Sequence, residues 1–218
     1  MRGYPLPRWG NLRRTTPFSS NFGFERGTPL DRYYSARFFE RNRGWITGDV
    51  LEIQGSGYTS RFGKNIRKAD SIDINPVVNP TWVCDLAHAD IIASDQYDCF
   101  LLPHTLSFLR NLDCCLREAI RIVKPGGVIL ATASCFVPLI PDGPDYWRFS
   151  AEGWKELVEK LWPGCEIRVE AFGNCLAAIA AMMGLALEEL DPCELDRVDR
   201  QYPVVISLFC RKVSSCDY

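Results

Sequence analysis

The chain is poor in histidine, nearly neutral overall and without a long apolar run. Its 218 residues hold two histidines, His88 and His104, and sum to a formal charge of −2. Two histidines leave little from which to build a Cys/His zinc site, so no metal is expected. A balanced, slightly acidic charge argues against a nucleic-acid footprint, which needs clustered excess Lys and Arg. No apolar stretch approaches the ~20 residues of a membrane-spanning helix, so no membrane association is expected. Internal repeats and low-complexity segments are missing too. The ten cysteines, Cys84, Cys99, Cys114, Cys115, Cys135, Cys165, Cys175, Cys193, Cys210 and Cys216, include no C-x-x-C pair and sit largely in apolar stretches. Pro5, Pro7, Arg8, Arg13 and Arg14 interrupt any secretory h-region. Reduced, buried thiols in a cytoplasmic protein are therefore the expectation.

What is present fits one globular domain preceded by an arm. Residues 1–27 carry Arg2, Arg8, Arg13, Arg14 and Arg26 against the single acid Glu25. They read either as a solvated basic tail or as an arm folding over a site, with Trp9, Phe18, Phe22 and Phe24 to bury. The domain, 28–218, opens with a helix predicted near Thr28 to Arg43. Thr28 is its N-cap, Pro29 lies in its first turn, Asp31 at N3, and Gly44 stands at its end. Strands follow at Asp49–Ile53, Ser71–Ile74, Trp82–Asp85, Tyr97–Leu102, Val128–Ala133, Glu166–Ala171 and Val204–Phe209. Helices are predicted over Leu106–Val123, over Ala151–Leu161 behind Ser150, and as an insertion over about 174–190. Alternating strands and helices imply an α/β fold, a Rossmann-like, doubly wound, seven-stranded, mostly parallel sheet with helices on both faces.

Three features recur at the carboxyl ends of these strands, where open α/β sheets hold their ligands. Glu52 ends the first strand and runs into the turn Gly55-Ser56-Gly57, whose glycines allow close backbone approach to a ligand. Asp73 follows Glu52 by 21 positions and suits a ribose diol. Asp85-Leu86 follows the third strand, where a carboxylate can receive an adenine amino group. Each alone is weak; together with Lys124-Pro125-Gly126-Gly127 before the fifth strand they form a pattern.

The runs DVLEIQGSGYTSRFG, SIDIN, VCDLAHAD, YDCFLLPHTLSFL, REAIRIVKPGGVILATAS and DYWRFSAEGW, with GNCLAAIAAMMGLALEEL, resemble the class I S-adenosylmethionine-dependent methyltransferases. The similarity is nearest to the small bacterial methyltransferase-domain (type 11-like) branch and runs from about Gly27 to Lys212. It implies S-adenosyl-L-methionine as cofactor. Glu52, Gly55 and Gly57 would lie near the methionine end, Asp73 with Ile74 at the ribose, Asp85 with Leu86 at the adenine, and Pro103 and His104 facing the methyl group and acceptor. One departure stands out: Gln54 occupies the position where the family has its first glycine. Cofactor binding is expected to survive, because Gly55 and Gly57 can still relax the turn.

The acceptor is expected to be a small molecule methylated on oxygen, a sugar or natural-product intermediate by analogy with the branch. His104 is the candidate base, since an imidazole ordinarily titrates near neutrality; the plainer reading is a loop histidine bonded to backbone. Pro138–Phe149 reads as a loop, with Asp145, Tyr146, Trp147 and Arg148 as an acceptor wall or, equally, as loop packing and an ion pair. A cofactor-binding protein without catalysis is the alternative. A nicotinamide oxidoreductase is disfavoured because Ser60 takes the third position of G-x-G-x-x-G. A homodimer is left open.

Overall fold

A computed structural model of the chain describes residues 8–141 and 143–213. Arg2, Pro5 and Pro7 of the arm, and Cys216, lie outside the described residues. The strands are β1 Gly48–Ile53, β2 Ile66–Asp73, β3 Trp82–Val83, β4 Tyr97–Pro103, β5 Val123–Ser134, β6 Glu166–Phe172 and β7 Val205–Arg211. They form one sheet in the order β3-β2-β1-β4-β5-β7-β6. Pairings among β1 to β5 are parallel, and β7 runs antiparallel to β5 and β6. The α/β, mostly parallel sheet read from the sequence is what the chain forms.

The helices are α1 Leu30–Arg41, α2 Gly57–Phe62, α3 Leu112–Ile122, α4 Ala151–Leu161, α5 Cys175–Met182 and α6 Pro192–Asp196. Period-two alternation sends successive strand residues to opposite faces. Along β4, Phe100 and Leu102 join one core with α3 and α4, whereas Cys99 and Leu101 join the other with α1 and α5. Trp154 and Trp162 fill the first core; Tyr34, Phe38 and Phe39 fill the second. Burying such a side chain stabilises the fold by roughly 1.5–3 kcal/mol. Ser150 caps α4 as read, its Oγ accepting the Gly153 N–H at 3.1 Å.

Three helices are shorter than their sequence patterns. α1 starts at Leu30 with Pro29 at the cap position, because the Thr28 N–H and Oγ1 are both turned to Glu188, each at 2.8 Å. It ends at Arg41, before Gly44 is reached. The predicted Leu106–Val123 helix breaks into a 3-10 turn at Leu106–Phe108 followed by α3. The break has a partner elsewhere in the chain: the Ser107 carbonyl accepts the Tyr146 N–H and the Leu109 carbonyl the Trp147 indole N–H, each at 2.7 Å. The insertion at 174–190 is helical only over α5. Gly184 turns the chain at φ +68°, and a side chain there would collide with the Ser19 backbone. α5 buries Ala177, Ala178, Ala180 and Ala181 in the core.

Candidate functional site

Strand order reverses direction between β1 and β4, and the crevice at their carboxyl ends is where such sheets hold ligands. Two adjoining cavities occupy it, sharing Ile53, Gln54 and Phe108.

The first cavity, about 340 Å³, is bordered by Asp73 and Ile74 after β2 and by Asp85 and Leu86 after β3. Asp73 Oδ1 accepts the Asn75 N–H at 2.7 Å, and Asp85 Oδ1 accepts the Ala87 N–H at 2.9 Å. These bonds orient each carboxylate and leave its second oxygen without a partner among the described residues. Tyr146 borders the same cavity, with the Arg110 guanidinium 5.7 Å from its ring centre. The two carboxylates expected at ribose and adenine therefore open onto one nucleoside-sized space.

The second cavity, about 420 Å³, takes in Glu52, Gly55, Gly57, Pro103 and His104. Glu52 is buried, and Oε1 accepts the Tyr58 N–H at 2.9 Å while Oε2 accepts the Thr59 N–H and Oγ1 at 2.7 Å each. Burial raises its pKa, and those donors oppose the rise. The carboxylate thus holds the first turn of α2 in place. Gln54 lies in the left-handed region at φ +69°, its N–H bonded to the Ile72 carbonyl at 2.9 Å. It adopts a conformation a glycine would take more cheaply, at a cost of roughly 1–2 kcal/mol. A Cβ added at Gly55 or Gly57 meets no protein atom within 4 Å. These glycines relieve no internal crowding; the space beside them is open to a ligand.

His104 sits at φ +52° directly after β4, its backbone N–H bonded to the Thr132 carbonyl at 2.9 Å. Nδ1 lies 3.3 Å from Ser134 Oγ and 3.5 Å from Asp31 Oδ2, while Ser134 Oγ donates to Asp31 Oδ2 at 3.3 Å. A carboxylate only accepts, and the Ser134 proton is committed to it, so Nδ1 carries the imidazole proton. That leaves a lone pair on Nε2, which is buried and has no hydrogen-bond partner among the described residues. Burial pushes the pKa down to about 4 despite the Asp31 carboxylate. The sequence reading started from the ordinary near-neutral value; burial of the ring lowers it.

Asp145 and Arg148 form an ion pair on the wall of this second cavity. Trp147 borders neither cavity. Its indole N–H is spent on Leu109 and its ring stacks on Phe149, so it holds the strap down and does not line the acceptor space as expected. The arm contributes Asn21, Phe22 and Phe24 to the rim. It is anchored where the Phe18 and Ser19 N–H groups meet the Met183 carbonyl, at 2.8 and 3.4 Å. Phe18 packs under the Arg14 and Arg26 guanidiniums, and Trp9 stays exposed. Asp31 and Ser134 were not read from the sequence as site residues. Ser134 ends a strand, which is a usable signal; Asp31 looked like ordinary first-turn helix chemistry, and only the packing of α1 brings it to β5.

Residues 57–131 match the family described as a methyltransferase domain. No curated protein sequence matches the chain significantly. Among solved structures, an S-adenosylmethionine-dependent methyltransferase from Archaeoglobus fulgidus superposes with a TM-score of 0.57 at 17% identity, over 89% of this chain and 100% of that one. The [4+2]-cyclase SpnF gives 0.57 at 16% identity, over 92% and 87%. A complex of DhpI with S-adenosylhomocysteine gives 0.52 at 19% identity, over 84% and 86%. At such identities these structures speak to the fold. The chain has the class I S-adenosylmethionine-dependent methyltransferase fold, and its segment 57–131 is similar to the methyltransferase-domain family.

Proposed function

We propose that this protein transfers the methyl group of S-adenosyl-L-methionine to an oxygen of a small-molecule acceptor, with His104 receiving the acceptor proton. The observation that carries the reading is the pair of cavities sharing Ile53 and Gln54, with His104, whose buried Nε2 has no partner among the described residues, among the residues lining the second. The residues fit the cofactor: two carboxylates with an oxygen to spare stand at the nucleoside end, and the bare glycine turn adjoins them. When bound, S-adenosylmethionine supplies an electrophilic methyl group on a positively charged sulfur.

The chain's own work is then to hold, align and dry the reactants. Asp73 and Asp85 fix the nucleoside, and the Gln54–Gly57 turn fixes the amino-acid end. The acceptor hydroxyl would lie beside His104, whose Nε2 would take up its proton as the methyl group is transferred to the oxygen. Asp31, 3.5 Å from Nδ1, stabilises the imidazolium that results. Because burial keeps the imidazole neutral at working pH, the lone pair is always available. Asp145 and Arg148 orient polar groups of the acceptor, and Phe22 and Phe24 exclude water.

A second reading, a cofactor-binding protein without methyl transfer, is favoured by Gln54 in the glycine turn, and the similar fold of SpnF is that of a [4+2]-cyclase. Titration calorimetry with S-adenosylhomocysteine, followed by methyl-transfer assays on hydroxyl-bearing acceptors, separates the two. Binding with turnover that falls at least 100-fold in His104→Ala supports the proposal. Binding with no turnover on any acceptor supports the second reading, and no binding sinks both.

A further inference from the structure

A third cavity, about 830 Å³, lies beyond the crevice over the ends of β5, β6 and β7. It shares Val137 and Arg148 with the cavity lined by His104, so the two are neighbours on either side of those residues. Its volume falls in the range that takes a drug-sized ligand. Neither the nucleoside pocket nor the space at His104 needs it, and a monosaccharide would leave it empty.

The walls are apolar and wet. Leu139, Val198, Met182 and Phe136 line it while remaining 64%, 52%, 48% and 44% exposed. Side chains of this size gathered in one concave place, and not scattered, mark a binding surface. The charged groups around it are mostly spoken for. Arg41 is bound by Glu170 at 2.8 Å, Arg148 by Asp145, and Glu152 sits in the first turn of α4, where the helix N-terminus offsets its charge. Arg200 makes no hydrogen bond or ion pair among the described residues and borders the same space. An apolar trough with one uncommitted guanidinium is complementary to a flat or chain-like hydrophobic body bearing an anion.

We infer that the acceptor is an amphiphile, with an apolar body lying in the Phe136–Leu139–Met182–Val198 trough, an acidic substituent at Arg200, and the reacting hydroxyl reaching past Arg148 to His104. This rests on the methyl-transfer reading above and narrows its acceptor away from sugars. The weak basicity of His104 agrees, since a weak base suits an acidic hydroxyl better than an aliphatic alcohol.

The test is direct binding, with 2-naphthoate, neutral 2-naphthamide and glucose as probes, measured by titration calorimetry alongside S-adenosylhomocysteine. The variants Leu139→Asp, Val198→Asp and Arg200→Ala change exposed side chains outside the transfer machinery. The inference expects naphthoate to bind better than naphthamide, and glucose not to bind. Each aspartate variant should weaken naphthoate at least tenfold, and Arg200→Ala should erase its advantage over naphthamide. S-adenosylhomocysteine affinity should stay within twofold in all three. Naphthoate binding that ignores the aspartates, or glucose binding more tightly than naphthoate, overturns the inference while leaving the methyl-transfer reading intact. Trough binding as expected in a protein that never takes S-adenosylhomocysteine removes the methyl-transfer reading, and with it the acceptor role.

Discussion

Protonating His104 should cost the fold more than protonating an ordinary histidine. The unfolded chain takes up this proton near pH 6.5, the folded chain only near 4 because its imidazole is buried. Between those values the unfolded state binds a proton that the native state refuses, so acid draws the equilibrium toward unfolding. The contribution is complete above pH 6.5, fades as pH falls toward 4, and is constant below. At about 1.36 kcal/mol per pH unit, that interval is worth about 3 kcal/mol. Urea unfolding of the native protein and of His104→Gln, at steps from pH 7 to 4.5, isolates it, because the carboxylates they share cancel in the difference. The native protein should lose about 2–3 kcal/mol more than the variant over that range. With only two histidines in the chain, His88→Gln assigns the imidazole signals in a proton NMR titration. A His104 midpoint between pH 6 and 7, or an unfolding difference constant with pH, would refute the reasoning. In turnover, the acid limb of kcat/KM should fall near pH 4 and not near 6.5.

Further outcomes follow from the same geometry. Gly55→Ala should leave thermal stability within about 1 kcal/mol of the native protein, since the new methyl group meets no protein atom, yet weaken S-adenosylhomocysteine binding at least tenfold; unchanged affinity would mean the open space is not the cofactor's. Asp73→Asn should weaken the same ligand by roughly 10–100-fold, the worth of a charge-assisted hydrogen bond, with little change in Tm by differential scanning calorimetry. Trp147→Phe keeps the stack on Phe149 but removes the indole bond to the Leu109 carbonyl, costing about 0.5–1.5 kcal/mol in urea unfolding; a neutral substitution would show that the indole bond does not hold the strap. Trp154→Ala, in the core beneath α4, should cost about 3–5 kcal/mol by the same measurement.

The sheet was legible because its strands are short apolar runs with acids or turn residues at their carboxyl ends, a pattern set locally. Asp73 and Asp85 could be placed in one pocket from strand order alone, since parallel neighbours bring consecutive strand ends together. The breaks in helices could not. Leu106–Val123 has unbroken apolar spacing, and it is interrupted by carbonyls that a strap 38 residues away captures. The position of His104 at the crevice was legible from its place after a strand, but its basicity depends on how completely α1 and β5 enclose it. Asp31, 103 residues from Ser134 in the chain, illustrates the limit: its role is created by tertiary contact and leaves no trace in local spacing.

The 145–148 strap faces two ways. Tyr146 forms part of the nucleoside wall, while Asp145 and Arg148, its near neighbours in the chain, form part of the wall around His104. A molecule that shifts the strap from either side must reshape the other chamber as well. Occupancy of the two spaces is then thermodynamically linked: whatever strengthens the first guest's hold by settling the strap strengthens the second guest's hold by an equal factor. Sequential loading would be a built-in property of a single short stretch of backbone, requiring no moving domain.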